Sequence, residues 1–356
     1  MDIRAATNAF EKWIAGQVAI VRSDLRHKHA AMGEDAFSFL RATFYRWVQS
    51  ADAINANATA APEVLAVGDV HVENFGTWRD ALGRLAWGIN DFDEAFRLPY
   101  SNDLVRLATS ALVLIDARHL RLRAKFACRA IVEGYQEGFA CGGRPFVIGE
   151  EHRWFRPILQ SPQRDPGKFW DRLRALPAER ERRPPDALKA IESILPARDL
   201  PYRLHHRIAG LGSLGKPRFT AIADWSGGPV AREAKALTRS AAAWARGNRH
   251  GPFYGRILAG AIRSPDPFLK VKTGWVTRRL APDCRRIELP SLKLAKDKEW
   301  LLHCMGFEIA NVHLGAAREP GTIVRHLKRQ PKIWLHDGAS RMRDAIDADF
   351  ESWRRG

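Results

Sequence analysis

Two short apolar runs that each stop at a polar loop constrain this chain most. Residues 64–67 read VLAV and end at Gly68-Asp69, and residues 85–89 read LAWGI and end in the acidic segment NDFDE at 90–94. A short apolar run bounded by Gly and Asp is typical of a buried strand that leads into a polar loop. The GTWRDALGR segment between them carries the Gly and Asp residues of a turn. We therefore predict a hairpin that returns Asp91 to the neighbourhood of Asn74.

The composition predicts a folded, basic protein, and the pattern of its N-terminus predicts that it stays inside the cell. The 356 residues carry a formal charge of +17 and are 46% hydrophobic, which excludes a disordered chain and favours two lobes. Four cysteines without a CxxC pair suggest neither a disulfide framework nor a zinc site. The N-terminus lacks the apolar core of a secretory signal, and the longest apolar stretch, 104–115, is interrupted by Arg106. We expect a cytoplasmic protein without a membrane span. Its charge favours an anionic ligand, with nucleic acid as a less favoured partner.

The order of patterns along the chain predicts an α+β fold in five parts. We assign residues 1–60 to a helical segment and 61–140 to the strands and loops just described, followed by helices. Residues 141–200 contain the Pro- and Arg-rich run LPAERERRPP and predict an irregular or helical connection. Residues 201–295 alternate as strands around a glycine loop, and 296–356 predict a C-terminal helical segment.

The polar loops carry residue types that phosphoryl transfer requires. Asp69 and Asn74 are five positions apart, the spacing found in kinase catalytic loops. One carboxylate can orient an attacking hydroxyl, while an amide oxygen and a second carboxylate hold Mg²⁺ against phosphates. Asp69 is thus the candidate catalytic residue, and Asn74, Asp91 and Asp93 are candidate metal ligands. The structural alternative is that Asp and Asn only cap a turn after a strand.

A glycine loop supplies a candidate phosphate site. The segment Gly210-Leu-Gly212-Ser213-Leu-Gly215 is followed by Pro217 and an alternating strand rather than by the helix of a dinucleotide-binding loop. A strand-loop-strand order is how a kinase-type loop covers nucleotide phosphates. Lys235 ends the next strand-like segment and could reach the same phosphates. A tight hairpin and an ordinary surface lysine are the structural alternatives.

These residues carry a resemblance to a known family. The segments VLAVGDVHVENFG, GINDFDEAFRLPYSNDLVRLATS, DAFSFLRATFYRW and RIAGLGSLG with REAKALTRSA look like the bacterial family labelled domain of unknown function 2252. That family is grouped with the protein-kinase-like and aminoglycoside-phosphotransferase superfamily. The resemblance extends from about residue 28 to about residue 315, and it implies a two-lobed phosphotransferase fold that uses ATP and Mg²⁺.

The resemblance implies a role for each residue of the motifs. The superfamily's Gly-Asp-x-His-x-x-Asn loop corresponds to Gly68, Asp69, His71 and Asn74, and its Ile-Asp metal motif ends at Asp91. Asp69 is then the catalytic base, His71 braces the catalytic loop, and Asn74 and Asp91 hold the metal. The Asp103 that follows the motif is structural. A metal-ligand role for His71 is the alternative.

Two features depart from the superfamily pattern. The glycine loop and Lys235 follow the catalytic loop instead of preceding it, so the lobes would be circularly permuted. In addition, no Asp or Glu lies between Lys235 and Asp266, so the helix glutamate that usually pairs with the lysine is absent. Glu233, two residues from the lysine on the same strand face, is the available substitute.

The sequence therefore predicts an ATP- and Mg²⁺-dependent phosphotransferase with a hydroxyl acceptor that no residue identifies. The alternative is a non-catalytic, pseudokinase-like module that binds nucleotide or another anion. GDVH also opens the motif of binuclear metallophosphoesterases, but the later GDxxD, GNH and GHxH blocks are missing, which makes this the least favoured alternative. A zinc deaminase is excluded because the Pro-Cys-x-x-Cys partner of His71-x-Glu73 is missing.

Overall fold

The computed structural model describes residues 1–55, 61–148, 165–179 and 183–356. Part of the predicted 141–200 connection, including three residues of its Arg-rich run, lies outside these ranges. Two short helices, α7 (Pro166–Arg174) and α8 (Pro185–Glu192), form in the described part of that connection.

The N-terminal segment is helical, as predicted. Its helices are α1 (Ile3–Ala15), α2 (Arg22–Met32), α3 (Ala36–Ala42) and α4 (Phe44–Ile54). Asp2 and Asp35 cap α1 and α3 by accepting a backbone N–H with their side chains. Phe10 and Ile14 lie one helical turn apart on the buried face of α1. This segment packs onto the main core and does not stand apart from it.

The predicted hairpin exists, but its first arm is not the one that the pattern indicated. Strand β2 (Phe75–Arg79) pairs with β3 (Leu85–Ile89), whereas β1 (Glu63–Ala66) pairs with β4 (Phe96–Pro99). The GTWR residues assigned to a turn are therefore strand, and the turn is confined to residues 80–84. The register sets Phe75 opposite Ile89, and the Asn90 N–H donates to the Asn74 carbonyl oxygen. As predicted, Asp91 returns beside Asn74.

Long helices form the core behind these strands. They are α5 (Tyr100–Ala117), α6 (Ala124–Ala140), α11 (Ala295–Ala316), α12 (Pro320–Lys328) and α13 (Trp334–Arg355). Helices α6 and α11 approach so closely that a Cβ at Gly134 would collide with the His303 carbonyl. Glycine is required there because the two backbones meet without side chains between them.

A second sheet carries the glycine loop. Its five strands are antiparallel and run in the order β6 (Arg203–His205), β7 (Arg218–Trp225), β8 (Gly228–Ala236), β10 (Trp275–Leu280) and β9 (Lys270–Lys272). Between β8 and β9 lie the short helices α9 (Ala241–Ala245) and α10 (Tyr254–Gly260). A two-residue strand, β5 (Phe146–Val147), extends the β2–β3 sheet. The strand-loop-strand-turn-strand order from residue 203 to residue 236 is the predicted one.

Strand β2 of the three-stranded sheet β2–β3–β5 contacts the segment that follows β10 of the five-stranded sheet. The Thr77 N–H donates to the Arg285 carbonyl oxygen at 2.8 Å, and the Thr77 hydroxyl donates to the Asp283 carbonyl oxygen at 2.5 Å. The α+β class predicted from the sequence is confirmed. Within the described ranges, no helix is both long and apolar enough to cross a membrane.

Candidate functional site

A polar cleft lies where the loops after β1 and β3 meet α3, the glycine loop and the second sheet. It encloses about 1000 Å³ of empty space, counted out to its open mouth. The acidic side chains that line it are Asp69, Glu73, Asp91, Asp93 and Glu94. The basic side chains that line it are Arg41, Arg207, Lys216, Arg218, Arg278 and Arg286. A cleft with convergent charged groups is typical of a binding or catalytic site.

Asp69 is held by a buried arginine. Its Oδ1 accepts hydrogen bonds from Arg106 Nη2 at 2.7 Å and Nε at 3.1 Å, and Arg106 is 1% exposed. The same Nη2 donates to the Leu40 carbonyl oxygen at 2.7 Å, and the guanidinium lies 4.8 Å from the Trp47 ring centre. Burial raises the pKa of Asp69, although Arg106 opposes the shift. Both hydrogen bonds use Oδ1, which leaves Oδ2 as the oxygen that faces the glycine loop.

Asn74 joins the two polar loops. Its side-chain Nδ2 donates to the Asp69 carbonyl oxygen at 3.2 Å and to the Asp91 carbonyl oxygen at 3.1 Å. The amide nitrogen is occupied by these bonds, so Oδ1 is the atom that remains for a ligand.

His71 makes a hydrogen bond within the loop that follows β1. The Glu73 N–H donates to His71 Nδ1 at 3.2 Å, so Nδ1 carries no proton and the ring is the Nε2–H tautomer. Burial first, and Arg41 and Arg106 next, hold the pKa of His71 well below its usual value. His71 is therefore neutral at pH 7. A positively charged imidazole is not part of the site.

Asp103 has the structural role that the resemblance implied. Its carboxylate accepts hydrogen bonds from the Val67 and Gly68 N–H groups at 2.7 and 2.9 Å, and His313 Nε2 lies 3.0 Å from it. These bonds fix the turn at which β1 ends, immediately before Asp69.

Lys235 is not a surface residue. Its side chain is 0% exposed, and its Nζ lies 2.6 Å from Asp91 Oδ2 and 2.7 Å from Asp93 Oδ2. Burial alone would raise the pKa of Asp91, but Lys235 and Arg278 outweigh it and hold that pKa well below its usual range. The ammonium thus pairs with the two acids after β3. This pairing fills the gap left by the absent helix glutamate.

Glu233 does not substitute for that glutamate. It is fully buried and binds three guanidinium groups: Arg218 and Arg207 at 2.5 Å, and Arg278 at 3.3 Å. Burial alone would raise the pKa of Glu233, but these arginines hold it well below its usual range. The expectation that Glu233 pairs with Lys235 is wrong. Glu233 pairs with the arginines, whereas Lys235, two residues further along β8, pairs with Asp91 and Asp93.

The glycine loop lies directly over the candidate base. A Cβ built on Gly212 would stand 2.9 Å from the Arg41 carbonyl oxygen and 3.5 Å from Asp69 Oδ2. Gly210 and Gly215 have positive φ angles of 72° and 95°, which non-glycine residues rarely adopt. The Ser213 hydroxyl accepts from Arg218 Nη2 at 3.0 Å and donates to the Gly210 carbonyl oxygen. Three of the four predicted loop residues, Gly210, Gly212 and Ser213, therefore border the same cleft as Asp69, whereas Gly215 packs against Leu25 of α2.

Glu73 lies at the other end of the catalytic loop and pairs with two arginines. Its Oε2 is 2.9 Å from Arg41 Nη1 and 2.8 Å from Arg286 Nη1. Arg41 comes from α3, and Arg286 comes from the segment after β10.

The oxygen donors of the cleft suit a hard cation such as Mg²⁺. Asp91 is one-third exposed, and Asp93 Oδ1 is buried without a hydrogen-bond partner among the described residues. With the Asn74 amide oxygen they form a set of two carboxylates and one amide. Mg²⁺ typically binds one or two carboxylates together with substrate phosphates, so an all-protein cage is not required. Accordingly, no group of three His, Cys, Asp or Glu side chains suited to a metal occurs in the described ranges.

The motifs did not identify most of the basic residues of the cleft. Arg106 had a signal in the sequence: it is a single charge inside the apolar run 104–115, and such a residue needs a buried partner. Arg41 and Arg286 had none, because their shared partner Glu73 lies far from both along the chain.

Comparison with known proteins gives one match. Residues 21–144 match the family described as "Uncharacterized protein conserved in bacteria (DUF2252)". That segment is less than half of the chain. It includes Asp69, Asn74, Asp91 and Asp93 but neither the glycine loop nor Lys235. No curated protein and no solved structure matches the chain.

Proposed function

We propose that the cleft is the active site of a phosphotransferase that binds ATP with Mg²⁺ and transfers the γ-phosphoryl group to a hydroxyl. One observation carries this proposal. The Asn74 amide binds the backbone of both Asp69 and Asp91, so the candidate base and the cation-binding acids form one rigid unit beneath the glycine loop. Phosphoryl transfer depends mainly on such positioning and on charge stabilisation.

Asp69 Oδ2 takes the proton in this proposal. The acceptor oxygen forms a bond to the γ-phosphorus while the bond between that phosphorus and the β–γ bridging oxygen breaks. The hydroxyl proton passes to Asp69, and ADP leaves. A raised pKa improves a carboxylate as a base, and Arg106 keeps Oδ1 in place so that Oδ2 faces the reactants.

Asp91, Asp93 and Asn74 would hold Mg²⁺, which neutralises phosphate charge when bound. Lys235 pairs with the Asp91 and Asp93 carboxylates and holds them in position. The backbone N–H groups of Gly210 and Gly212 would face the phosphates, whereas the Ser213 N–H already donates to the Gly210 carbonyl oxygen and Gly215 lies against Leu25.

The arrangement of the elements supports a more specific version of this proposal. In that version the fold is kinase-like, and its two lobes occur in permuted order along the chain. A five-stranded antiparallel sheet carries the glycine loop and the buried lysine, and a mainly helical part carries the catalytic loop. The sheet follows the proposed catalytic loop in sequence, which is the departure from the superfamily order already evident in the sequence.

A binding module without turnover is the second candidate. It is favoured by the pairing of Lys235 with Asp91 and Asp93, which engages two of the three N–H donors of this fully buried ammonium. Nucleotide binding without catalysis would be its signature.

An Asp69→Asn variant distinguishes the two candidates. Formation of ADP from ATP with Mg²⁺, with water as the acceptor, is measured for the wild type, for Asp69→Asn and for a control at the exposed Asp224. We expect Asp69→Asn to lower the rate by about 10²–10⁴-fold with unchanged nucleotide affinity, because loss of a general base costs that much. Asp224→Asn should behave as the wild type. Wild-type turnover in Asp69→Asn would refute the assignment, and binding without turnover in the wild type would select the binding module.

A further inference from the structure

Positive charge exceeds negative charge along one side of the cleft. Arg41 and Arg286 share a single oxygen of Glu73, at 2.9 and 2.8 Å. Next to them, Arg207, Arg218 and Arg278 share Glu233. We call these five arginines the arginine wall. The carboxylates that pair with these five charges are Glu73, Glu233 and, at 3.9 Å from Arg278, Asp91, which Lys235 also neutralises.

At the Arg41–Arg286 end of the wall, two guanidinium groups bind one carboxylate oxygen. Burial first, and Arg41 second, lower the pKa of Arg286, although Glu73 and Glu288 oppose the shift. Arg207 lowers the same pKa further, which shows that the two halves of the wall are close together. Arg41 Nε is buried and has no hydrogen-bond partner in the described part of the chain. A buried N–H donor beside excess positive charge favours an anion as its missing partner.

This end of the wall adjoins the candidate base. Arg41 and Arg286 both lower the pKa of His71, and Arg41 lowers that of Asp69, so both arginines lie within electrostatic range of the catalytic loop. The acids that would hold Mg²⁺ are instead neutralised by Lys235. Arg41 and Arg286 are therefore not engaged by the acids that would hold Mg²⁺.

We propose that Arg41 and Arg286 form an oxyanion subsite for the acceptor, which is therefore an alcohol that carries a phosphate or carboxylate group. The inference rests on the proposed phosphotransferase function. The planar fork of a guanidinium group matches both oxyanions through paired N–H donors. The acceptor's anionic group binds Arg41 and Arg286, and its hydroxyl then lies within reach of Asp69 Oδ2.

A purely structural role for these arginines makes a different prediction. Together with Glu73 they connect α3 to the segment at Arg286, which also forms an isolated bridge with Gly76. If this were their only role, removing one guanidinium would lower stability without changing anion binding.

The test measures binding of a second anion to protein already saturated with Mg²⁺ and a non-hydrolysable ATP analogue. Inorganic phosphate and acetate are titrated separately, at ionic strength held constant with chloride, and represent the two oxyanion classes. The wild type is compared with Arg41→Gln, Arg286→Gln and a control, Arg121→Gln, at an exposed position. Thermal unfolding of each variant confirms folding.

We expect saturable binding of one of the two anions to the wild type and to Arg121→Gln. Arg286→Gln and Arg41→Gln should each weaken it about tenfold or more, since a hydrogen bond to a charged group is lost. Absence of second-anion binding while the analogue binds would overturn the subsite and leave the proposed function standing. Equal anion affinity in all four proteins would overturn it as well. Arginine-dependent anion binding without analogue binding would refute the phosphotransferase instead and show that the subsite serves another purpose.

Discussion

At the residue scale, burial decides what Lys235 does. An exposed lysine at the end of a strand would be free to bind a phosphate. Lys235 is instead fully buried against Asp91 and Asp93, at 2.6 and 2.7 Å. A buried ion pair stabilises a fold little compared with apolar packing, but removing one partner leaves uncompensated charge. Lys235 is therefore a residue on which both the fold and the cation-binding acids depend.

Lys235→Met is expected to lower the free energy of unfolding by about 3 kcal/mol or more, because two carboxylates lose their buried partner. Urea unfolding at pH 7 measures the change. The control is Lys272→Met on the exposed strand β9, which should change stability by less than about 0.5 kcal/mol. An equally small loss for Lys235→Met would contradict the pairing.

The sequence could not predict the pairing of Lys235 with Asp91 and Asp93, because the lysine lies far from both acids along the chain. The acids after β3 and the lysine on β8 are more than a hundred positions apart, and nothing local connects them. The residues of the catalytic loop could be identified because Asp69, His71 and Asn74 lie within one short motif. Glu233 was given the wrong partner because strand alternation indicates a shared face but not which charge on that face is nearest.

At the element scale, the glycine loop is fitted to the backbone beneath it. Gly212 sits against the carbonyl of Arg41 in α3, with no room for a methyl group. The loop and α3 together close one side of the cleft, so the position of the loop depends on this contact.

Gly212→Ala should displace the loop and weaken nucleotide binding about tenfold, since crowding of this kind costs about 1–3 kcal/mol. Equilibrium binding of a fluorescent ATP analogue measures the effect. Gly228→Ala is the matched control, because a Cβ there meets nothing within 4 Å. Unchanged affinity in Gly212→Ala would show that the loop does not contact the ligand.

Helix α11 fixes the end of β3 through a buried carboxyl group. The Ile89 N–H donates to Glu308 Oε1 at 3.2 Å, and Asn311 Nδ2 donates to Oε2 at 2.9 Å. Burial raises the pKa of Glu308 to about 7, although Arg263 opposes the shift. Ile89 lies two residues before Asp91, so this contact supports the position of the cation-binding loop.

This pKa predicts a pH dependence of stability. The folded state holds the Glu308 proton up to about pH 7, whereas the unfolded chain releases it near the usual glutamate pKa of 4.5. The group's contribution is thus complete below pH 4.5 and is lost as pH rises to 7, by about 3 kcal/mol in total. Glu308→Gln cannot ionise, so its urea midpoint should fall less than that of the wild type between pH 5 and 7.5. Parallel falls in both proteins would contradict the raised pKa.

At the scale of the whole molecule, the core is unevenly divided. One large apolar cluster joins the helices to β1–β4, whereas the second sheet is packed on two small clusters of its own. The larger cluster includes Phe75 and Leu301, and the smaller ones include Phe219 and Leu280. A region with fewer buried apolar contacts opens at lower free energy.

Amide hydrogen exchange should therefore be faster in strands β6–β8 than in α6 and α11. A ligand that bridges the cleft stabilises the closed state, so Mg²⁺ with an ATP analogue should slow exchange in these strands more than in the helices. Mass spectrometry of peptides measures both rates. Uniform protection throughout the chain, with or without ligand, would contradict this division.

Local patterns predicted most of the elements. The bounds of β3 coincide with the apolar run at 85–89, and the alternation expected within 201–295 corresponds to the strands β6–β10. The strand Phe75–Arg79 was mistaken for a turn because its Gly and Arg are atypical of strands, whereas pairing with β3 and contacts to residues 283–285 stabilise it. Such tertiary contacts cannot be deduced from composition.

The central claim is that the cleft binds a nucleotide through a cation held at Asp91. Calorimetric titration of a non-hydrolysable ATP analogue, with and without Mg²⁺ and in enough salt to screen a +17 protein, tests it most directly. Asp91→Asn keeps the Asp93 partner of Lys235, and Asp349→Asn, in an ion pair with Arg46 outside the cleft, is the control. We predict one-site, Mg²⁺-dependent binding in the wild type and Asp349→Asn, and its loss in Asp91→Asn. Binding that is absent, or equal in all three proteins with or without Mg²⁺, would contradict the account.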